Sequence, residues 1–495
     1  MSKREIILTL SLLMLTLAGA WAQDSTTPPA QEPSTQPQEP VPAYGQENPP
    51  PPVIENPPLS GIDLPNLEPN AAPLSYLQPG ATVSESVDSN AANTLGGQSV
   101  TSVSRALGSL TLQRLWSHYD LALDYMGGVG YYDLHGQGLK LLQQMDFDQK
   151  ITWKRGEFSV RDSFSYLPEG NFGAAYGSLG SQGIASLGST AFSSFWGGSA
   201  LGVLGLAPRV LNVSMADVSE YLSPKSSVTG AVGYAFTHFY GDDPQTGTAF
   251  IGSSQVSAQV GYSHVLNAHT QVAAMYGYQG FDFNFSGTAF HSHIIQLMYG
   301  HRISGRLDLL IAAGPQLTLV GIACTVQNFN PNDCTVNPQT LGLMGTIPDT
   351  RLGVAGRARL RYKFPKTALD VEYQRFDTSG SGLFAGAQTD IAHLAAQRPL
   401  TRVWGLSLDV GYSRNARIQP SGNFGVNANT YDYGFVGGAL HRQFGHNFHG
   451  FVSYQFNELS FDNSICATVS VCSRISNRSV GTFGLDWTPR PIRLD

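Results

Sequence analysis

Residues 403 to 413 alternate without a break. Trp404, Leu406, Leu408, Val410 and Tyr412 take one side, and Val403, Gly405, Ser407, Asp409, Gly411 and Ser413 take the other. A period of two is the geometry of an extended strand whose two faces meet different surroundings. The pattern recurs at 448–457, where Phe448, Gly450, Val452, Tyr454 and Phe456 oppose His449, Phe451, Ser453, Gln455 and Asn457. It recurs again at 253–264 and 306–319. Past the first 22 residues no apolar run is long enough to span a bilayer as a helix, which excludes a multi-span helical membrane protein. The chain therefore reads as all-β.

Alternation also fits a soluble sandwich, and three further features select a transmembrane antiparallel β-barrel. The apolar faces begin and end in aromatics: Trp404 and Tyr412 are separated by about 20 Å along the normal of a tilted strand, near the height of a barrel's apolar band. The strands run longer than the globular mode. The connections alternate short and long. Short ones fall at 154–156, 223–225, 266–268, 304–305, 365–366, 398–399 and 445–446, and long ones at 170–208, 241–252, 322–349, 414–429 and 462–476. Short turns at one end and long loops at the other are a barrel's signature. The count is about sixteen strands, with fourteen as the alternative because 210–222 and 386–398 alternate poorly. Pro315, inside a clean strand, removes a ladder donor and is expected to mark a bulge or the rim.

Composition agrees. Charged residues are 13% of the chain, with 54 Gly, 21 Tyr and 25 Phe, against about a quarter charged in a soluble domain. The net charge of −7 leaves no footprint for nucleic acid. Residues 1–22 read as an export signal: Lys3 and Arg4, an apolar core from Ile6 to Leu17, then Ala20-Trp21-Ala22, with cleavage expected after Ala22. Residues 23–117 read as a disordered, Pro-rich, acidic extension without a Lys or Arg before Arg105. Such a segment cannot bury enough apolar surface to offset its ordering entropy. It is a spacer, or a ligand for a periplasmic or cell-wall partner. The barrel is expected over 118–487, with a short tail at 488–495. Cys324, Cys334, Cys466 and Cys472 form two close pairs in polar loops, and an even count in an exported chain favours two local disulfides over zinc.

The last strand, Val480-Gly481-Thr482-Phe483-Gly484-Leu485-Asp486-Trp487, places Phe483, Leu485 and Trp487 on one face. It looks like the C-terminal recognition strand of Gram-negative outer-membrane β-barrels, and the chain resembles that class, with a porin-like architecture, over about three-quarters of its length. The departure is the tail after Trp487. The resemblance implies a cell outer-membrane location, contact with outer-membrane lipid, use of the barrel-assembly machinery, and chain ends in the periplasm. Trp404, Tyr412, Phe448, Tyr454 and Trp487 are the expected membrane-interface aromatics.

Residues 351–374 carry the strongest local signal. Arg357, Arg359, Arg361 and Lys363 share the polar face of one strand, and Asp370, Glu372 and Gln374 that of the next. A two-residue turn at 365 and 366 sets Arg361 opposite Asp370 and Arg359 opposite Glu372, so cross-strand ion pairs are expected. Arg357 and Lys363 are left without an acid. In a barrel this ladder faces the lumen, as a pore lining or as a neutralised structural wall. His291 and His293 share one face of a strand but lack a nearby carboxylate, so no metal is expected. No nucleophile elbow or nucleotide loop occurs. Neither catalytic residues nor a cofactor are expected, and the chain reads as a non-enzyme. The Gly/Ser-rich loop 170–208 lies either outside or folded inward. A lumen of this width suits a passive channel for small hydrophilic solutes. The alternatives are a structural or surface-interaction barrel, or an export component.

Overall fold

The computed structural model describes residues 75–91, 95–96, 100–133, 138–167, 208–240, 250–283, 289–323, 331, 334–336, 343–364, 366–380, 382–418, 428–445, 447–466 and 473–494. Eighteen long strands pair antiparallel into one closed ring. They are β1 (Tyr76–Asp88), β2 (Thr101–Leu115), β3 (Tyr119–Tyr132), β4 (Gly138–Trp153), β5 (Gly156–Leu167), β6 (Arg209–Ser223), β7 (Ser226–Phe239), β8 (Ser253–Asn267), β9 (Thr270–Phe283), β10 (Ala289–Ser304), β11 (Leu307–Ala323), β13 (Leu343–Lys363), β14 (Ala368–Thr378), β15 (Ala387–Pro399), β16 (Trp404–Arg417), β17 (Thr430–Phe444), β18 (Phe448–Phe461) and β19 (Ile475–Trp487). Two short strands are accessory: β12 (Cys334–Val336) pairs with the top of β13, and β20 (Ile492–Arg493) pairs with the start of β1.

The ring closes between β1 and β19, from Ala81 opposite Trp487 to Asp88 opposite Val480. Side chains on the inner face reinforce that seam. Thr82 donates to Asp486 Oδ1 (2.7 Å), the Ser86 and Thr482 hydroxyls lie 2.9 Å apart, and Arg478 Nε donates to Asp88 Oδ2 (2.9 Å). Arg478 and Asp88 are each 1% exposed, so the pair is shielded from solvent.

Strand alternation sorts the side chains. Val83, Leu297, Leu352, Val354, Val452 and Phe483 are more than half exposed on the outside. Ser84, Ser86, Gln279, Ser292, Gln455 and Asn457 are buried on the inside. This is the inverse of a soluble core, and it requires an apolar surround. The connections alternate as the sequence indicates, and the free ends of β1 and β19 lie at the short-turn end.

Three expectations need correction. The barrel has eighteen strands, not sixteen or fourteen, and its first strand begins at Tyr76, inside the stretch assigned to the extension. The strands β1 and β2 do not alternate cleanly, because Ser and Thr fall on both faces (Thr82, Ser84 and Ser86 inward, Ser102 and Ser104 outward) and Pro79 looks like a breaker. Pro79 is tolerated because β19 pairs only from Ala81 onward, which leaves β1 one-sided there. The short tail is tied to the barrel's end: Thr488 N–H donates to Asn447 O (2.7 Å) and Leu494 N–H to Ser75 O (3.0 Å). Pro315 marks neither a bulge nor the rim. The β11–β13 register runs unbroken through Pro315 opposite Val354, and the β10 ladder merely skips Ile295 and Gln296. Loop 170–208, apart from Pro208, lies outside the described residues, as do residues 1–74.

At the long-loop end, Asp462 accepts N–H groups from Asn429 (3.0 Å), Thr430 (2.9 Å) and Ser464 (3.0 Å), tying two connections together. Partial burial pushes its carboxyl up. The hydrogen bonds from Ser464, Thr430 and Asn429 outweigh that and hold it below its ordinary value. A depressed carboxylate stabilises above its unfolded pKa, and the contribution is lost as pH falls through the folded value.

Deleting residues 23–74 leaves the strand ladder complete, and the truncated chain is expected to assemble with heat-modifiable gel migration. Deleting 23–90 removes β1 and opens the ring, so heat-modifiable migration is expected to disappear. Assembly of the shorter chain would show that β1 is dispensable.

Candidate pore lining

The ladder forms on the inner wall of β11, β13 and β14. The register is the expected one, Arg359 opposite Glu372 and Arg361 opposite Asp370. The ion pairs run diagonally instead. Arg357 Nε donates to Glu372 Oε1 (2.8 Å), and Arg359 donates through Nε (2.9 Å) and Nη2 (2.7 Å) to Asp370 Oδ2. Arg361 Nη2 reaches back to Asp308 of β11 (3.5 Å). Arg357 therefore has an acid, contrary to expectation. Long side chains lean along the strand, so the diagonal neighbour is within reach as well as the one directly across. The third acid, Asp308, is remote in sequence and falls opposite Arg361 only in the β11–β13 register. The side chain of Lys363 lies outside the described residues.

The network continues sideways. His393 on β15 pairs across from Glu372 and contacts Asp409 of β16 through Nε2. Gln374 donates to Glu372 Oε1. Arg359, Asp370, Glu372, Gln374 and His393 are all less than a tenth exposed.

A second charged wall lies on β3 to β6. Asp120, Asp124, Asp146, Asp148 and Asp217 share the inner parity there with Arg161 and Lys150. Arg161 bridges Asp148 (3.5 Å) and Asp217 (3.6 Å). Asp124 stands directly opposite Asp146 in the β3–β4 register, which sets two carboxyl groups at directly paired positions. Seven strands separate β4 from β13 on one side and nine on the other, so the carboxylate-rich wall and the arginine ladder face each other across the lumen. The sequence names each of these acids, but only ring closure opposes them to the ladder.

Above both walls, the long-loop end is packed with aromatics. The connection 379–386 turns inward, with Gly380 (φ 81°), Gly382 (φ 80°) and Gly386 (φ 89°) in a region that L side chains rarely adopt. A Cβ on Gly382 would sit 2.6 Å from Phe239, and one on Gly386 would sit 2.5 Å from Phe290. Ile251 N–H donates to Gly382 O (2.9 Å) and Ile418 N–H to Gly386 O (3.1 Å). Phe384, fully buried, packs on Tyr431 (5.2 Å) beneath the Arg417 guanidinium (4.7 Å). Sequence reading missed this loop; its only signal was the Gly-Ser-Gly run at 380–382.

The expected interface aromatics all lie on the outer face. Trp404, Phe448 and Trp487 sit toward the short-turn end, where Phe448 pairs with Trp487 and Arg442 lies over the Trp404 ring (5.1 Å). Tyr412 and Tyr454 sit toward the other end, and their hydroxyls donate to Asp432 (2.8 Å) and Ser479 (3.1 Å). His291 and His293 also face outward and bond Tyr278 (2.9 Å) and Tyr276 (2.8 Å). Among the described residues no group of His, Cys, Asp or Glu could hold a metal. Neither described cysteine, Cys334 or Cys466, is a free thiol; Cys324 and Cys472 lie outside the described residues.

No protein-family model matches the chain, and no curated protein does. Solved structures do. The outer membrane protein opdK from Pseudomonas aeruginosa is 8% identical over 84% of this chain and 98% of its own, with a TM-score of 0.38. A BenF-like porin from Pseudomonas fluorescens Pf-5 is 10% identical over 84% and 99%, with a TM-score of 0.39. The ferric-catecholate import receptor Fiu from E. coli K12 is 6% identical over 83% and 81%, also at 0.39. Likeness at that level carries no functional weight, and the barrel stands on its own strand register.

Removing one member of the buried ladder strands the other. Arg359→Met is expected to destabilise by roughly 3–5 kcal/mol, because Asp370 is left buried without this partner. Adding Asp370→Leu should recover most of that loss. Thermal unfolding of the single and double variants in detergent checks it; equal losses would mean that the pair is not coupled.

Proposed function

We propose that this chain is an exported outer-membrane barrel that works as a porin-like passive channel for small hydrophilic solutes. One observation carries the reading: a closed eighteen-strand ring with an apolar outside and an inside whose facing walls carry an ion-paired arginine ladder and a cluster of carboxylates. A ring of this size is wide enough for an aqueous lumen. Charged groups on a pore wall bias which ions concentrate there, so removing an arginine or a carboxylate from it moves that balance in opposite directions.

Within this reading Arg357, Arg359, Arg361, Lys363, Asp370 and Glu372 line the pore, and the Trp404–Phe448–Trp487 and Tyr412–Tyr454 sets mark the two membrane interfaces. Residues 1–22 are the export signal, cleaved after Ala22. Residues 23–75 form the Pro-rich periplasmic extension, a spacer or a ligand for a cell-wall partner, and the barrel-assembly machinery inserts the chain. Cys324–Cys334 and Cys466–Cys472 are the disulfides, each closing a ring within its own long loop.

The inward aromatic packing of Phe384 favours a second reading, a barrel closed at its long-loop end that has a structural or export role. Planar-bilayer recording separates the two. An open channel should conduct, Arg357→Gln should shift its reversal potential toward cations, and Asp124→Asn with Asp146→Asn should shift it toward anions. Opposite shifts from opposite walls are the expected result. A conducting barrel whose reversal potential ignores all three substitutions would remove these side chains from the ion path, and no conductance would favour the closed barrel.

A further inference from the structure

Between the two charged walls lies a third with no charge. On β7, β8, β9 and β10, the inward positions from Ser227 through Gly300 carry no Asp, Glu, Lys or Arg among the described residues. Their polar inward side chains are amides and hydroxyls, Gln255, Ser257 and Gln259 on β8 and Gln279 on β9, with Gln316 following on β11, interspersed with Ala231, Met275, Ile294 and Met298. These four Gln and Ser257 are 5% exposed or less. The adjacent carboxylate, Asp377, is engaged, accepting from Ser292 (2.8 Å) and Thr318 (2.5 Å).

Buried amides normally find partners within the protein. Here neither the Nε2 nor the Oε1 of Gln259 or Gln316 makes a hydrogen bond, nor does the Ser257 hydroxyl. The Phe281 and Phe290 rings stack at 4.4 Å at the long-loop edge of the same wall. Each Gln side chain offers both a donor and an acceptor without charge. A ligand that satisfies such a wall must present donors and acceptors together, repeatedly, and bring no charge to desolvate. A carboxylate or an ammonium solute gains more on the flanking walls and would be desolvated here without a counter-charge.

We propose that the β8–β11 wall is a binding surface for a neutral polyhydroxylated solute, such as a monosaccharide, with Gln259 and Gln316 as its anchoring amides. The inference rests on the channel reading for its role in passage, but the binding itself does not require conductance.

Saturation-transfer NMR of the full-length barrel in detergent tests it, with glucose as the neutral probe and gluconate as its charged counterpart. Glucose should receive saturation and titrate to a dissociation constant, while gluconate should bind markedly more weakly. Gln259→Leu with Gln316→Leu should weaken glucose by about tenfold or more, as the loss of two neutral hydrogen bonds implies. If that pair fails to show heat-modifiable migration, Gln259→Asn with Gln316→Asn keeps the amides but withdraws them by one methylene, and should weaken glucose in the same direction. No transfer to glucose, equal binding of gluconate, or a folded variant with unchanged affinity would overturn the proposal. A barrel that conducts without binding glucose loses the site and keeps the channel, and one that binds glucose without conducting loses the channel and keeps the site.

Discussion

Everything in this molecule depends on one strand pairing, that of β1 with β19. An open sheet of this length would present two unpaired edges to hydrocarbon, where each unsatisfied backbone group costs several kcal/mol. Closure removes both edges. It joins residues some four hundred positions apart, and the inner face reinforces it with the Arg478–Asp88, Thr82–Asp486 and Ser86–Thr482 contacts. These bonds lie on the polar side of the wall, so the seam is held from within while Val83, Phe483 and Leu485 meet the lipid side.

Closure also gives the charges their meaning. In an open sheet the acids of β3–β6 and the arginines of β13 would be distant patches on one surface. In a ring they face each other, and the uncharged wall of β7–β10 fills the arc between them. The inward loop 379–386 is a consequence as well. Its glycines approach Phe239 on β7 and Phe290 on β10, strands it can reach only because the ring brings them back within range. The lumen therefore changes character along its height, from ion-paired walls to an aromatic layer at the long-loop end.

Much of this was legible in the chain. Strand β16 declares itself through Trp404 to Tyr412, the turn ends alternate as they should, and the register at Arg361 and Asp370 follows from the turn at 365–366. What was not legible has physical causes. The strands β1 and β2 are disguised because Ser and Thr fall on both of their faces, Ser84 and Ser86 inward and Ser102 and Ser104 outward, and such segments resemble a linker. The diagonal pairing of Arg357 with Glu372 depends on side-chain lean, and the directly opposed pair of Arg361 with Asp308 depends on a neighbour distant in sequence. The orphaned amides of Gln259 and Gln316 are ordinary residues until four strands bring them to one wall.

The most direct test of the closed ring is a cysteine pair across its seam. Val83 lies opposite Leu485, both outward, at a separation an antiparallel pair can bridge. In a background with the four native cysteines replaced by serine, Val83→Cys with Leu485→Cys should oxidise within one chain in isolated membranes. The control Val83→Cys with Val452→Cys, one strand further round, should not. Efficient seam crosslinking with a silent control is the result the eighteen-strand ring requires; a seam pair that stays reduced while the barrel is folded would contradict it.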